Sequence, residues 1–286
     1  MKKILFFCLS LVVLSSVASA DPILTEQVKG VAANNLEAGL GISYGKDTWD
    51  WDSNITGENS LSLTVIQAIF KYGLTDQLQL NMTLPYRSWK SKIEANGAST
   101  STDDSGIGQI GLGAKYSIND MVAVGLDLQT PTGDVDKGLG EGTNVGLLLA
   151  CARELKPVVI SGNIGYLMKS EYEDEHDVKH DPADLFIIRA AVEYPLNEFS
   201  PFAEFQAQFF GKSKIASYDI NESSGSTLDL LVGSQYARDN FKAKLGIQFA
   251  LGDEDLRIGR MQFYDSADWK IVATVSYAFN LIGGSK

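Results

Sequence analysis

Apolar and polar residues alternate with a period of two over most of this chain. Twelve segments between Leu36 and Asn280 show the alternation, and no comparable stretch shows the 3.6-residue period of an amphipathic helix. Successive side chains of a β-strand point to opposite faces, so each segment predicts a strand with one apolar and one polar face. The predicted strands are 36–45, 61–72, 77–86, 107–118, 121–130, 144–154, 158–169, 184–195, 201–211, 227–238, 241–251 and 268–280.

The connections between these segments are alternately short and long. The short ones carry the Asn, Asp, Gly and Pro of tight reversals and are 73–76, 119–120, 155–157, 196–200 and 239–240. The long ones are polar and are 46–60, 90–106, 131–143, 170–183, 212–226 and 252–267. The sequence therefore predicts an all-β fold, a single antiparallel transmembrane β-barrel of about 12 strands with short periplasmic turns and long extracellular loops. Such a barrel has a backbone radius of roughly 12 Å, so we expect a narrow or partly obstructed lumen.

The beginning of the chain predicts export to the outer membrane. Lys2 and Lys3 precede an apolar run from Ile4 to Val13, and the small residues Ala18 to Ala20 form a cleavage site. This is the pattern of a cleaved signal peptide, and its apolar run is too short to span a bilayer as a helix. The predicted organisation is a signal peptide 1–20, a short periplasmic N-terminal segment 21–35, the barrel 36–280 and a C-terminal tail 281–286.

Net charge, cysteine content and the absence of several motifs limit the partners and the chemistry that this chain can have. Without the leader the chain has 22 basic and 36 acidic side chains, a net charge of −14, which argues against nucleic acid as a partner. Cys151 is then the only cysteine, so an intrachain disulfide is excluded. No Walker A, CxxC or HExxH motif is present, and we predict no catalytic residue, no cofactor and no metal site.

Three segments resemble a known family. They are YGLTDQLQLNMTLPY (72–86), GIGQIGLGAKYSI (106–118) and LDLQTPTGD (126–134), and they are similar to the MetA-pathway of phenol degradation family. The resemblance extends over nearly the whole mature chain. It implies an outer-membrane barrel that passes small, apolar or aromatic molecules. Barrels of this kind usually end on an aromatic residue that the assembly machinery recognises, whereas here Phe279 is followed by seven further residues.

The polar face of the strands predicts the lining of the lumen. If the apolar faces contact lipid, the charged residues that point inward include Arg87, Lys115, Asp127, Arg189, Glu204, Lys242 and Lys244. Charges in a confined interior persist only if they are paired or wet. Two interpretations remain open at this point: a salt-bridge network that plugs the barrel, or a polar conduit whose selectivity these charges set.

Two loops carry further candidates. The corner Pro131, Thr132, Gly133 and Asp134 begins a glycine-rich loop that either makes the turn out of its strand or folds inward to constrict the lumen. His176 and His180 lie among acidic residues in a second loop. Histidines four residues apart would bind a divalent cation if the loop were helical; the alternative is a solvated acidic loop.

These patterns predict a passive channel or transporter in the outer membrane, without enzymatic activity. The predicted partners are outer-membrane lipid and lipopolysaccharide, the barrel-assembly machinery and a small-molecule solute. The main alternative is a barrel that transports nothing and presents its acidic loops as an adhesin or structural surface. A soluble periplasmic β-protein is a third possibility, which pelleting with membranes would exclude.

Overall fold

The structure is a computed structural model that describes residues 25–26, 28–50, 58–95, 97–216, 218–219, 224–251 and 267–281. Within these ranges the strands are β1 (Asn35–Asp50), β2 (Glu58–Gly73), β3 (Leu78–Ala95), β4 (Ala98–Ile107), β5 (Gly111–Asn119), β6 (Val122–Gln129), β7 (Asn144–Leu155), β8 (Val158–Lys169), β9 (Tyr172–Glu173), β10 (Lys179–Asp181), β11 (Leu185–Glu193), β12 (Phe199–Phe210), β13 (Lys214–Ile215), β14 (Tyr218–Asp219), β15 (Gly225–Arg238), β16 (Phe241–Ala250) and β17 (Trp269–Asn280). The same residues contain no helix that is both long and apolar enough to cross a membrane.

The long strands close into an antiparallel barrel. The first strand pairs with the last, in a register that runs from Asn35 opposite Asn280 to Lys46 opposite Trp269. Strands β4 and β5 both pair with β3 and act as one wall strand interrupted at 108–110, so the described residues form a twelve-stranded wall. Closure gives each of the twelve wall strands a paired neighbour on both sides, as a lipid environment requires, although the β4 part of its strand pairs only with β3. The predicted barrel is confirmed.

Burial in this barrel is the reverse of that in a soluble protein. Leu126 and Leu245 are more than half exposed on the outer surface, whereas Gln206, Asp229 and Gln248 are at most 1% exposed inside. A soluble sheet protein would bury the leucines and expose the polar groups. The apolar outer surface faces lipid, and the polar side chains enclose the interior.

The extracellular side contains more strand than predicted. Loop 90–106 was expected to be irregular, but most of it forms the β3–β4 hairpin, which extends beyond the apolar band. Its sequence is rich in Ser, Thr and Asp and has no apolar face, so alternation could not detect it. Parts of loops 170–183 and 212–226 form a small separate sheet in the order β14-β13-β10-β9.

Several sequence predictions lie partly or wholly outside the described residues. These are the signal peptide 1–20, most of loop 252–267 and the tail 281–286 beyond Leu281. The Leu281 backbone N–H donates to the Asn34 carbonyl at 3.0 Å, so the end of β17 is tied to the segment that precedes β1.

Candidate functional site: an occluded lumen

The structure buries five of the seven residues that were predicted to line the lumen. Arg87, Lys115, Asp127, Arg189 and Glu204 are buried within the barrel. Lys242 and Lys244 instead line a cavity at the periplasmic mouth. Three further features decide what this interior can do. An inserted N-terminal segment and two inward-facing apolar clusters were not predicted from the sequence, and the inward fold of loop 131–143 was one of two alternatives.

The N-terminal segment, defined here as the described residues 25, 26 and 28–34, turns into the barrel. The sequence predicted 21–35 only as a short periplasmic segment. Asn34 adopts a left-handed conformation (φ +62°), and its N–H donates to the Gly73 carbonyl at 2.7 Å. A Cβ at Gly73 would lie 2.1 Å from the Ala32 carbonyl oxygen, so this close approach requires glycine. The turn directs the segment back into the lumen.

Glu26 is the main anchor of the N-terminal segment. Its carboxylate accepts hydrogen bonds from Lys115 Nζ at 2.6 Å and Lys71 Nζ at 3.5 Å, and its side chain is only 2% exposed. An ionised carboxylate this deeply buried is stable only when it is paired and hydrogen-bonded. Both conditions are met here.

Other walls of the barrel hold the same segment. Asn163 on β8 accepts from the Glu26 N–H at 3.2 Å, and Ser117 on β5 donates to the Val28 carbonyl at 2.7 Å. Thr25 Oγ1 donates to Glu204 on β12 at 2.8 Å. Since β5, β8 and β12 lie on different sides of the barrel, the described part of the segment crosses the interior.

A polar network fills the wall around the inserted segment. The Arg189 guanidinium donates to Gln206, and the Gln206 amide donates to Asp229 at 3.2 Å. Nearer the extracellular side, Asn144 donates to Gln129 at 3.0 Å. The interior therefore combines hydrogen-bonded networks with a remaining periplasmic cavity of about 380 Å³.

The extracellular half of the interior is apolar on two opposite walls. The β2 cluster consists of Leu61, Leu63, Val65 and Ala267, with Trp89 packed against it. The β11 cluster consists of Leu167, Ala183, Leu185, Ile187 and Phe210. Strands β2 and β11 are six positions apart in the closed wall in either direction, so the two clusters lie on opposite sides of the lumen.

The loop 131–143 folds inward at this level. Leu139 is 1% exposed, and the Trp89 indole N–H donates to the Lys137 carbonyl at 2.7 Å. Gln109 Nε2 donates to the Gly142 carbonyl at 2.7 Å, and Lys169 Nζ pairs with Glu141 at 3.0 Å. The loop is thus tied to β3, to the break between β4 and β5, and to β8.

The predicted corner forms the base of this loop. Thr132 Oγ1 accepts from the Ile110 N–H at 2.9 Å and donates to the Gly108 carbonyl at 3.0 Å, so one hydroxyl bridges the break between β4 and β5. A Cβ at Gly133 would lie 2.4 Å from the Leu139 carbonyl oxygen, which explains glycine there. Asp134 Oδ1 accepts from the Asp136 and Lys137 N–H groups and closes the turn.

Replacing Thr132 with valine tests the role of this corner. The variant keeps the shape of the side chain but removes both hydrogen bonds, and we expect a loss of about 1 to 3 kcal/mol in the free energy of unfolding. Urea unfolding in lipid vesicles measures it. Thr102→Val, on the exposed β3–β4 hairpin, is the matched control and should change stability by less than about 0.5 kcal/mol. Equal losses in both variants would contradict the assignment.

The loop 170–183, which carries His176 and His180, is not helical. His180 lies on β10, where its ring stacks on Tyr172 with centroids 4.9 Å apart and its Nε2 is 3.0 Å from Asp174 Oδ2. His176 lies in the β9–β10 turn and is exposed, so the two rings do not converge. In the part of the chain that the structure describes, no group of three or more His, Cys, Asp and Glu side chains is placed to hold a metal ion.

The β9–β10 hairpin is expected to be sensitive to acid. The hydrogen bond from His180, with those from the Val178 and His176 N–H groups, lowers the pKa of Asp174 below its ordinary value of 3.8. A carboxyl with a depressed pKa stabilises the fold above its ordinary pKa, and that contribution is lost as the pH falls through the depressed value. We expect the protection factor of the Val178 amide, which compares its exchange rate with that of an unstructured chain at the same pH, to fall below about pH 4 in the native chain. In Asp174→Asn the pH dependence should disappear, while Asp177→Asn in the same turn should retain it.

Solved structures share this architecture. An outer membrane channel of the COG4313 group from Pseudomonas putida F1 superposes with a TM-score of 0.68 at 12% identity, over 90% of this chain and 100% of that chain. The translocator domain of the autotransporter NalP from Neisseria meningitidis gives a TM-score of 0.52 at 11% identity, over 87% and 90%. These similarities support the barrel fold.

The sequence of this chain matches a known protein family. No curated protein matches the chain. Residues 20–259, which include the N-terminal segment and most of the barrel, match the family described as "Putative MetA-pathway of phenol degradation". This match covers well over half of the chain and includes the three segments whose sequences resemble the family. The chain belongs to that family.

Proposed function

We propose that this protein is a passive outer-membrane channel for small molecules with an apolar or aromatic body. The observation that carries the proposal is the pair of apolar clusters that face each other across the extracellular half of the lumen. A barrel that served only as a surface would need its inward-facing polar side chains to be hydrogen-bonded to one another. Polar networks already provide these hydrogen bonds in the middle of the wall, so the apolar clusters are not needed for that purpose. Apolar side chains on opposite inner walls provide contacts for an apolar solute.

The remainder of the lumen supports movement through the barrel. The obstruction consists of the described N-terminal residues, which an ion pair and hydrogen bonds hold in the lumen. The periplasmic cavity beside it is an exit that already exists. The similar solved structure is named an outer membrane channel, which agrees with passage through the barrel, and the family description refers to phenol degradation, which agrees with an aromatic solute.

The proposal includes the route to the membrane and its surroundings. Residues 1–20 would be removed during export, and the barrel-assembly machinery would insert the chain. The outer surface would then contact phospholipid and lipopolysaccharide through its apolar band. We assign the chain no catalysis and no cofactor.

The test is protein-dependent uptake of phenol into vesicles whose outer leaflet contains lipopolysaccharide. We expect phenol uptake down its gradient, without an energy source, at a rate that rises with the amount of folded barrel. Uptake equal to that of vesicles without protein would favour the alternative, an envelope barrel that acts as an adhesin or structural surface. Release of the chain into the periplasm without detergent would exclude both.

A further inference from the structure

We infer that Gln208 and Thr227 form a hydroxyl-binding site beside the β11 cluster, and that the channel therefore prefers neutral solutes in which an apolar body bears a hydroxyl group. The inference rests on the proposed function, because it narrows the solutes that the same lumen takes. It is carried by two buried polar atoms that lack a hydrogen-bond partner and adjoin apolar side chains of the lumen wall.

Gln208 on β12 and Thr227 on β15 lie directly opposite each other in the strand register. Their side chains are only 2% and 3% exposed, whereas the adjacent Phe209 and Leu228 are exposed on the outer surface, so both polar side chains point inward. Among the described residues, neither Gln208 Oε1 nor Thr227 Oγ1 has a hydrogen-bond partner. A polar atom buried in this way destabilises a fold, and such atoms are rare in native proteins.

The same two strands do satisfy their polar side chains one step closer to the periplasm. Gln206 and Asp229 also lie opposite each other, and the Gln206 amide donates to Asp229 at 3.2 Å while its oxygen accepts from Arg189. This hydrogen-bonded network does not continue to Gln208 and Thr227. The hydroxyl group of a solute would supply the missing partner at this position.

The apolar side chains of the β11 cluster adjoin this polar pair. Ile187 lies directly opposite Gln208 on the other side of β12, and Leu185 lies opposite Phe210. Neighbouring strands are about 5 Å apart, and alternate residues along one strand are about 7 Å apart. One small molecule can therefore contact the polar pair and the apolar side chains at the same time.

A cavity of about 630 Å³ leads to the site from the extracellular ends of β8, β11 and β12. Its lining includes Ala183 and Phe210, which both belong to the β11 cluster. Phe210 lies between this cavity and Gln208 along the inner face of β12. A solute in the cavity thus contacts the cluster first and reaches the polar pair by displacing the Phe210 ring.

The chemistry of the two polar atoms selects a hydroxyl group. Gln208 Oε1 can only accept a hydrogen bond, whereas the Thr227 hydroxyl can donate or accept one. A solute hydroxyl can donate to Gln208 and accept from Thr227. Hydrocarbons, ethers and carboxylates have no donor for Gln208, and a carboxylate would also bring a charge into a buried site.

The test is fluorine NMR of two probes with the full-length barrel in lipid nanodiscs, using 4-fluorobenzyl alcohol and its methyl ether. Nanodiscs without protein measure the partition of each probe into lipid. We expect the native barrel to bind the alcohol about tenfold more tightly than the ether, because only the alcohol donates to the buried oxygen. In Gln208→Leu/Thr227→Val, which keeps the approximate size of both side chains, this preference should disappear.

Two controls separate recognition from structure. Gln77→Leu/Thr102→Val makes the same replacements at exposed positions outside the lumen and should keep the preference for the alcohol. Urea unfolding of Gln208→Leu/Thr227→Val should show a midpoint equal to or above that of the native barrel, because replacing unpartnered buried polar groups with apolar groups of similar shape costs little.

Equal binding of the two probes, binding of neither, or a preference that survives in Gln208→Leu/Thr227→Val overturns the inference. An equal loss of preference in the exposed control, or a lower urea midpoint in the lumen variant, also overturns it. With phenol uptake retained, each of these results leaves the channel intact. A preference for the alcohol without phenol uptake overturns the channel and leaves the binding site.

Discussion

Replacing Glu26 with glutamine is expected to release the N-terminal segment from the lumen and to raise the single-channel conductance several-fold. Glutamine keeps the size of the side chain but removes the negative charge that Lys71 and Lys115 contact at 3.5 and 2.6 Å. Removing one partner of a buried ion pair destabilises the arrangement by about 3 to 5 kcal/mol. Because the described part of the segment is joined to the wall through β1 and is otherwise held by hydrogen bonds and ion pairs, weakening these contacts should let it leave the lumen while the barrel stays folded.

The expected change in free energy predicts how far the inserted and released populations should shift in single-channel recordings. Each 1.4 kcal/mol changes an equilibrium about tenfold, so even the lower figure shifts the inserted and released populations by about a hundredfold. Glu198→Gln is the matched control, since Glu198 pairs with Arg238 at 3.6 Å at an exposed turn, where such pairs contribute about 0 to 1 kcal/mol. A Glu26→Gln conductance equal to that of the native protein and of the control would show that the segment does not limit passage.

Replacing Ile247 with lysine should destabilise the barrel by about 2 to 4 kcal/mol, the usual cost of a cation on the lipid face near the bilayer centre. Ile247 lies in the middle of β16, is exposed on the outer surface, and has Val232 and Ile271 as its neighbours across the strands. An ammonium there has no partner in hydrocarbon and must reach an interface.

The matched control for Ile247→Lys is a lysine added on the inside. Ser276 lines the periplasmic cavity near Glu37, so the ammonium of Ser276→Lys remains wet and close to a carboxylate. Its cost should be less than about 1 kcal/mol. Urea unfolding in lipid vesicles compares the two variants. Equal losses of stability in the two variants would mean that the outer and inner faces of the barrel are in the same solvent.

The sequence predicted the barrel wall because lipid imposes a simple pattern on it. Where one face of a strand contacts hydrocarbon and the other contacts water, apolar residues recur every second position, as from Leu78 to Tyr86. The β3–β4 hairpin lies beyond the lipid, so it is under no such constraint and was missed.

The apolar clusters inside the lumen could have been predicted from which alternate positions of a strand, odd or even, carry the apolar residues. In β2 the odd residues Leu61, Leu63 and Val65 are buried inside, whereas further along the strand the even residue Ile66 is exposed outside. The apolar residues thus change face halfway along the strand. Such a change indicates that one half of the strand contacts something apolar inside the barrel.

The inserted N-terminal segment had no comparable signal. Glu26 precedes its two lysine partners by 45 and 89 residues, and the intervening sequence shows no periodic relation to it. Only the closed wall brings Lys71, Lys115 and Asn163 around one point. The lumen charges were therefore predictable as a set, but their pairing was not.

The most direct test of the account is the accessibility of spin labels placed one at a time along β16, from 241 to 250 without Gly246, in a Cys151→Ala background. Labels at 243, 245, 247 and 249 should collide with oxygen dissolved in lipid, and labels at 242 and 244 with a water-soluble nickel chelate. The two accessibilities should alternate out of phase with a period of two. If both vary in phase, or if the nickel chelate reaches the odd positions, the lipid-facing wall and its wet interior are contradicted.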